Sequence, residues 1–285
     1  HTGVVGFWEV FKDIGRYRKI FNRMVEIMDE RRPDAVVLID YPGFNIRFAR
    51  QAHRRGIKVI YYISPQLWAW GRRRVKKIRR YVDRMVVIFG FEKEFYRACG
   101  VDAEFVGHPL IDVLEPESGK AESELPPPLR GSPLAPQHPG YRNSEIDRIL
   151  PLILKVATII RSRKPETTFA IPVASDRLKP LIEKTVGPFQ IPIQLIEKGL
   201  PLVFRAADLA IVASGTVTLE GAVFEVPMII VYKLSFFSWC IARLLIKIDF
   251  IGLVNIIYGS MIVPEYIQFQ ARPARVAARA LKLLD

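Results

Sequence analysis

Residues 208–220 read DLAIVASGTVTLE, which joins an apolar run, a turn of small residues and the start of a helical pattern. The run Leu209–Val212 is typical of a strand that is buried on both faces of a parallel sheet. Gly215 lets the backbone approach a ligand closely, and the pattern that follows predicts a helix over 216–224. A strand that enters a helix through such a turn is the repeating unit of an α/β fold.

The same alternation continues on both sides of this stretch. Before residue 115 the pattern predicts helices over 13–31, 45–55, 71–81 and 91–98, and strands over 34–40, 58–63, 84–89 and 104–106. After residue 140 it predicts further helices over 144–163, 175–186 and 199–206, and strands over 168–172, 193–196 and 228–232. Repeated β-α units of this kind predict parallel, doubly wound sheets.

A change in composition separates the two halves. Residues 115–140 contain seven prolines and three glycines and show no apolar period. We therefore predict an N-terminal Rossmann-like domain over 1–114, an irregular linker over 115–140, and a C-terminal Rossmann-like domain with terminal helices over 141–285. Two such domains predict a site in a cleft between them, near the carboxyl ends of the strands.

Charge and composition narrow the class of protein. The 285 residues carry a formal charge of +13, which favours an anionic partner such as nucleic acid, acidic lipid head groups or a phosphorylated substrate. Two cysteines and four scattered histidines predict neither a disulfide framework nor a zinc site, and they fit a reducing, cytoplasmic compartment. Charges interrupt the longest apolar stretch, 228–258, so we expect no membrane-spanning helix.

Candidate ligand-binding residues lie in the C-terminal half. Ser214 and Thr216, with the free N–H groups of the helix start, can form an anion pocket, and Glu220 can bind two adjacent ribose hydroxyls. The alternative is an ordinary helix cap by Thr216 and an exposed Glu220. Arg142 can clamp a diphosphate, while Ser144 with Asp147 resembles a capping box.

Two titratable residues at strand ends are the candidates of the N-terminal half. Asp40 ends a predicted buried strand, where it can take a proton from a hydroxyl nucleophile; the alternative is a helix N-cap or turn aspartate. His108 ends the last strand and can contact a phosphate or act as a base. A structural hydrogen-bonding role is the alternative for His108.

Two segments are candidates for contact with a surface. Residues 72–80 (RRRVKKIRR) hold seven cations, which indicates either a solvated helix face or a surface that binds anionic lipid or RNA. No RNA-binding signature accompanies them, so we expect no nucleic-acid partner. Residues 236–247 are aromatic, apolar and interrupted by cations, which suits either a core or an interfacial surface.

Eight motifs resemble, in this order, those of the lipid-A-disaccharide synthases, and together they extend over essentially the whole chain. They are Asp40-Tyr-Pro-Gly-Phe-Asn45, Ser64-Pro-Gln-Leu-Trp-Ala-Trp70, Phe91-Glu-Lys-Glu-Phe-Tyr96, Val106-Gly-His-Pro-Leu110, Arg142–Ile146, Ala213–Glu220, Pro227–Tyr232 and Val263-Pro-Glu-Tyr-Ile-Gln268.

The resemblance implies an inverting GT-B-like glycosyltransferase of lipid A biosynthesis, bound peripherally to the anionic cytoplasmic face of a Gram-negative inner membrane. This family joins UDP-2,3-diacylglucosamine to 2,3-diacylglucosamine 1-phosphate (lipid X) and releases UDP. The resemblance implies Asp40 as the general base, His108 as a substrate contact, and a UDP site formed by Arg142, Ser214, Gly215, Thr216, Thr218, Glu220 and Asn255. Because the sequence has no Asp-x-Asp pair, we expect no metal and no cofactor. A homodimer is left open.

Two departures from the family pattern lead to further expectations. Family members carry a strand, a Gly/Ser-rich loop and another β-α unit before the position of Gly3, so we expect an incomplete first sheet and little turnover. Tyr141 stands where a small Ser is expected, and the prolines before it argue against a central strand. The alternatives are another GT-B enzyme of UDP-sugars, or an inactive remnant that binds nucleotide or anionic lipid.

Overall fold

The computed structural model describes residues 7–114, 126–129, 133–173, 175–197, 200–246 and 248–285. The chain divides into two compact units, His1–Pro109 and Leu110–Asp285. Within the described ranges, no helix combines the length and apolar character that crossing a membrane requires.

The first unit is built on a parallel sheet in the order β1-β2-β3-β4. The strands are β1 (Ala35–Ile39), β2 (Lys58–Tyr62), β3 (Arg84–Val87) and β4 (Ala103–Phe105), and the helices are α1 (Phe7–Arg31), α2 (Pro42–Arg54), α3 (Val75–Tyr81) and α4 (Gly90–Ala98). One apolar cluster that includes Tyr61, Met85 and Tyr96 forms the core of this unit.

The second unit is built on a parallel sheet in the order β10-β9-β8-β5-β6-β7. Its strands are β5 (Leu134–His138), β6 (Thr168–Val173), β7 (Ile193–Glu197), β8 (Ala210–Ala213), β9 (Met228–Tyr232) and β10 (Glu265–Ile267). The short α5 (Pro109–Val113) lies at the unit boundary, and α6 (Asn143–Arg163), α7 (Lys179–Val186), α8 (Leu200–Arg205), α9 (Val217–Val223), α10 (Phe236–Leu245), α11 (Leu253–Tyr258) and α12 (Pro273–Leu284) follow. The largest apolar cluster joins α6 and α12 to the central strands.

The structure confirms the alternating pattern, with shifts at several helix ends. The helix predicted over 13–31 begins earlier, at Phe7, and the helix predicted over 71–81 is a 3₁₀ turn (Arg72–Arg74) followed by α3. The helix predicted over 175–186 begins only at Lys179, with a proline in its first turn. Proline is favoured there because the first N–H groups of a helix have no partner within the helix.

The prediction of an irregular segment over 115–140 is wrong for residues 134–138. These residues form β5, which lies between β6 and β8 with all five residues buried. Pro136 cannot donate a ladder hydrogen bond, but neighbouring groups bond the rest of the strand: the N–H of Leu134 donates to the Asp208 carboxylate at 2.8 Å. Burial between two strands outweighs the lost donor, so the prolines do not prevent a central strand. Residues 115–125 and 130–132 of the predicted linker lie outside the described residues.

Candidate functional site

The strand order of the second unit places a topological switch point beside β5. Read from its other edge, the order is β7-β6-β5-β8-β9-β10, so the direction of winding reverses between β5 and β8. In doubly wound sheets, ligands bind in the crevice outside the carboxyl ends of the strands at this reversal. The loop after β5 (residues 139–142) and the turn after β8 (residues 214–216) border this crevice, which is called the switch-point crevice below.

The turn after β8 leaves open space beside Gly215. Gly215 has φ +153°, and a Cβ built on it would meet no atom of the described chain within 4 Å. Ser214 lies beside it, with its hydroxyl donating to the Ile251 carbonyl at 2.7 Å. Thr216 precedes α9 and is exposed, and its side chain makes no capping hydrogen bond within the described helix. The simple capping role considered for Thr216 is therefore wrong.

Glu220 lies on α9 and is buried, which contradicts the alternative of an exposed glutamate. Burial raises the pKa of the Glu220 carboxyl group, and a hydrogen bond from Tyr141 works against that rise. The Tyr141 hydroxyl donates to Glu220 Oε1 at 3.4 Å. A buried carboxylate needs donors, so this position suits a ligand that offers hydroxyl groups.

The loop after β5 carries Tyr141 and Arg142. Gly140 has φ +114°, and a Cβ there would collide with the Glu145 side chain, so this position requires glycine. Glu145 accepts a hydrogen bond from the Tyr141 N–H at 3.0 Å and lies 3.7 Å from the Arg142 guanidinium. The first helical residue of α6 is Asn143, so Glu145 supports the helix start in place of the predicted capping box of Ser144 with Asp147. Arg142 is half exposed and available to an anion.

In the first unit, the end of β1 holds Asp40 in an unusual conformation. Asp40 and Tyr41 have left-handed backbones, with φ of 46° and 43°. The Asn45 carboxamide donates to the carbonyls of Ile39 and Asp40 at 2.9 and 2.8 Å, and the Tyr61 hydroxyl donates to the Asp40 carbonyl at 2.6 Å. The residue that precedes α2 is Tyr41, so the N-cap alternative for Asp40 is wrong. The exposed Asp40 lies in a turn that its neighbours fix.

Glu92 at the start of α4 was not singled out by the sequence, although it belongs to a quoted motif. Glu92 is almost fully buried, and its Oε1 accepts hydrogen bonds from the Ser64 hydroxyl at 2.6 Å and the Trp68 indole at 3.2 Å. Burial raises the pKa of Glu92. Because Ser64 and Trp68 lie in the loop after β2, their hydrogen bonds to Glu92 fix this loop.

His108 follows β4. Its ring packs on Phe89 with ring centres 5.2 Å apart, and burial lowers the pKa of His108.

Comparison with known proteins identifies the family. A family model described as lipid-A-disaccharide synthetase matches residues 1–285. The chain belongs to the lipid-A-disaccharide synthase family. The Syntrophus aciditrophicus and Geobacter sulfurreducens lipid-A-disaccharide synthases are each 41% identical to it, and each match covers 99% of this chain and 74% of the relative. These enzymes are glycosyltransferases of lipid A biosynthesis, which confirms the class predicted from the motifs.

Solved structures share the fold of this lipid-A-disaccharide synthase family member at low identity. S. aureus MnaA in a structure with UDP gives a TM-score of 0.64 at 11% identity, covering 95% of this chain and 72% of that chain. The UDP-GlcNAc 2-epimerase of Methanocaldococcus jannaschii gives 0.58 at 13%, covering 99% and 77%. These matches confirm the predicted GT-B-like fold of two Rossmann-like domains.

Asn255 and Thr218, which the family resemblance places at the UDP, have partners inside the protein. The Asn255 carboxamide donates to the Val263 carbonyl at 2.7 Å and to Glu265 at 2.8 Å, and it accepts the N–H groups of Ile262 and Val263 at 3.0 and 2.9 Å. The Thr218 hydroxyl donates to a backbone carbonyl of the preceding turn at 2.8 Å. Both residues are fully buried, and these contacts favour a structural role for them.

The two segments predicted to contact a surface, residues 72–80 and 236–247, expose cationic and apolar side chains respectively. On α3, Val75 and Ile78 are buried while the cations face outwards. On α10, Phe236, Phe237 and Leu244 are 66%, 76% and 80% exposed, so the core alternative is wrong for these three residues. A cationic helix face and an apolar helix face are therefore both available to a partner.

Proposed function

We propose that the protein transfers a 2,3-diacylglucosamine unit from UDP to the 6-hydroxyl of lipid X, with inversion and without a metal ion. The buried Glu220 carboxylate at the switch-point crevice carries the donor half of this proposal, because a UDP-sugar offers the ribose diol that such a group binds. The family supports a glycosyltransferase of lipid A biosynthesis.

The donor site we propose uses the two borders of the switch-point crevice. Glu220 accepts hydrogen bonds from the ribose hydroxyls, and the open backbone at Gly215 lets the diphosphate come close. Arg142 carries a permanent positive charge that can pair with the diphosphate and stabilise the charge that develops as UDP leaves. Ser214 and Thr216 line the same turn.

The acceptor half of the proposal assigns the general base to Asp40. Asp40 takes the proton from the 6-hydroxyl while that oxygen forms a bond to the anomeric carbon of the donor sugar. The bond between this carbon and the diphosphate oxygen breaks, and its electron pair leaves with UDP. Attack opposite the leaving group inverts the anomeric centre. The exposed carboxylate on a backbone held by Asn45 and Tyr61 supports this role, because the backbone that carries the base is fixed before substrate arrives. His108 is the further substrate contact of the acceptor side.

We also propose that the protein binds the anionic cytoplasmic surface of the inner membrane. The seven cations of residues 72–80, on the 3₁₀ turn and α3, supply the electrostatic part of this binding, and the exposed aromatic residues of α10 supply an apolar part. An acylated donor and acceptor would reach the protein from such a surface.

The decisive test of the donor site is UDP binding, measured by calorimetry on the wild-type protein and on Glu220→Gln. Loss of the charge should weaken UDP binding by about 1–3 kcal/mol. Glu225→Gln is the matched control, because Glu225 is exposed two residues after the end of α9, and it should leave the affinity unchanged. Equal UDP affinity in wild type and Glu220→Gln would remove Glu220 from the site. Detection of product from UDP-diacylglucosamine and lipid X then separates this function from that of another UDP-sugar enzyme.

A further inference from the structure

A tyrosine spans the switch-point crevice. Tyr141 follows β5 and Glu220 lies on the helix after β8, and the hydrogen bond between their side chains joins the two borders at 3.4 Å. The two residues are 79 positions apart in the chain, so the contact is purely tertiary. The Tyr141 hydroxyl is therefore hydrogen-bonded to one oxygen of Glu220, the carboxylate that binds the ribose in the proposed function.

The position of the Tyr141 side chain is fixed from two directions. Its ring packs on the buried His138 ring, with centres 4.7 Å apart. His138 Nδ1 in turn accepts the Gly140 N–H at 3.2 Å, and the Tyr141 N–H is held by Glu145 at 3.0 Å. The ring and the backbone are therefore both anchored, and the hydroxyl is presented to Glu220 without the entropic cost of ordering a free side chain.

The phenol is a donor that Glu220 needs in the absence of ligand. A buried carboxylate without a donor is costly, and the hydroxyl supplies one hydrogen bond to it. Tyr141 is 47% exposed, and its partial burial together with the neighbouring Glu220 carboxylate raises its pKa, so the phenol stays protonated and remains a donor at neutral pH. At 3.4 Å the bond is long, so a ligand with a better donor geometry can replace it.

We propose that Tyr141 is a specificity-determining residue that competes with the ribose diol of a nucleoside diphosphate for the Glu220 carboxylate. This inference rests on the proposed function. A ribonucleotide offers two adjacent hydroxyls, which replace the single phenol donor with a net gain of one hydrogen bond. A 2′-deoxyribonucleotide offers one hydroxyl, which the second carboxylate oxygen can accept while the phenol stays in place. Tyr141 therefore lowers the affinity for UDP more than the affinity for 2′-deoxy-UDP.

Calorimetry with UDP and with 2′-deoxy-UDP tests this competition. Tyr141→Phe keeps the ring against His138 and removes only the competing hydroxyl. It should bind UDP about 3- to 10-fold more tightly than wild type, while the affinity for 2′-deoxy-UDP changes by less than about 2-fold. Tyr141→Ser also lacks the phenol, so it should shift UDP affinity in the same direction. Tyr258→Phe, at an exposed tyrosine, is the control and should bind both ligands as wild type does.

Two results overturn the inference in different ways. If wild type binds UDP through Glu220 and Tyr141→Phe binds it equally or more weakly, the competition is refuted and the donor site stands. If no variant binds UDP, the donor site and the competition both fail. An NMR titration of the Glu220 carboxyl group, which measures its pKa, tests the hydrogen bond from Tyr141 to Glu220 in the absence of ligand. Loss of the Tyr141 donor should raise the pKa of Glu220, and an unchanged pKa would refute the contact itself.

Discussion

Replacing Asn45 tests the physical argument for Asp40 without any need for substrate. The Asn45 carboxamide donates to the carbonyls of Ile39 and Asp40 at 2.9 and 2.8 Å, and so closes the turn after β1. Asn45→Ala removes both donors. Because Asp40 and Tyr41 keep left-handed backbones that are unfavourable for residues with a Cβ, the turn has little intrinsic preference for this shape.

The size of the effect follows from the bonds that are lost. Each net hydrogen bond contributes about 0.5–1.5 kcal/mol, so the loss of two should lower the free energy of unfolding by about 1–3 kcal/mol. Tyr61 still donates to the Asp40 carbonyl at 2.6 Å, so the turn should loosen without a collapse of the first unit. Asn45→Asp should cost at least as much, because a carboxylate cannot donate and is repelled by the two carbonyl oxygens.

Urea unfolding followed by tryptophan fluorescence measures this effect. In a Trp239→Phe background the remaining tryptophans, at positions 8, 68 and 70, all lie in the first unit and report its unfolding. Asn22→Ala is the control, because Asn22 is exposed on α1, and it should cause no loss of stability. If Asn45→Ala or Asn45→Asp is as stable as Asn22→Ala, the turn does not depend on Asn45 and the account of a pre-positioned Asp40 is wrong.

Three further predictions follow from charge and burial. Burial lowers the pKa of His138 to about 4, below its unfolded value, so its contribution to stability is present above pH 6.5 and is lost as the pH falls towards 4. Urea midpoints should show a loss of up to roughly 3 kcal/mol over this window, and His138→Asn should flatten the dependence. Asp40→Asn should lower kcat by about 10²–10⁴-fold in a preparation that turns over and leave UDP affinity unchanged; near-normal turnover would place the base elsewhere. Co-sedimentation with anionic vesicles should weaken as salt rises, and an absence of binding at low salt would refute the membrane proposal.

The sequence alone is enough to predict the individual strands, turns and helices of this protein and to identify its family. Strands β8 and β9 are apolar runs bounded by turn residues, and burial on both faces of a parallel sheet requires that composition. β1 is equally apolar, but its Val37 and Ile39 are 59% and 56% exposed, so the prediction of a buried strand before Asp40 is wrong. The turn Ser214–Thr216 is also a local feature, because its small residues directly join strand to helix. The position of Asp40 at the end of a strand is predictable in the same way, because Asp40 directly follows the apolar run that forms β1. These features depend on neighbours in the chain, so their signals can be read from it.

Only the tertiary structure decides the features that join distant segments. β5 contains a proline and two polar residues, and it becomes a central strand because β6, β8 and the carboxylate of Asp208, 74 residues from Leu134, supply its partners. Asn255 is buried because Glu265 and the backbone around Val263 take up its hydrogen-bonding groups. The bond from Tyr141 to Glu220 exists because two strands far apart in sequence are adjacent in the sheet. The sequence around a polar residue does not show which distant group will form its hydrogen bonds. Once the residue is buried, its polar atoms must nevertheless be hydrogen-bonded.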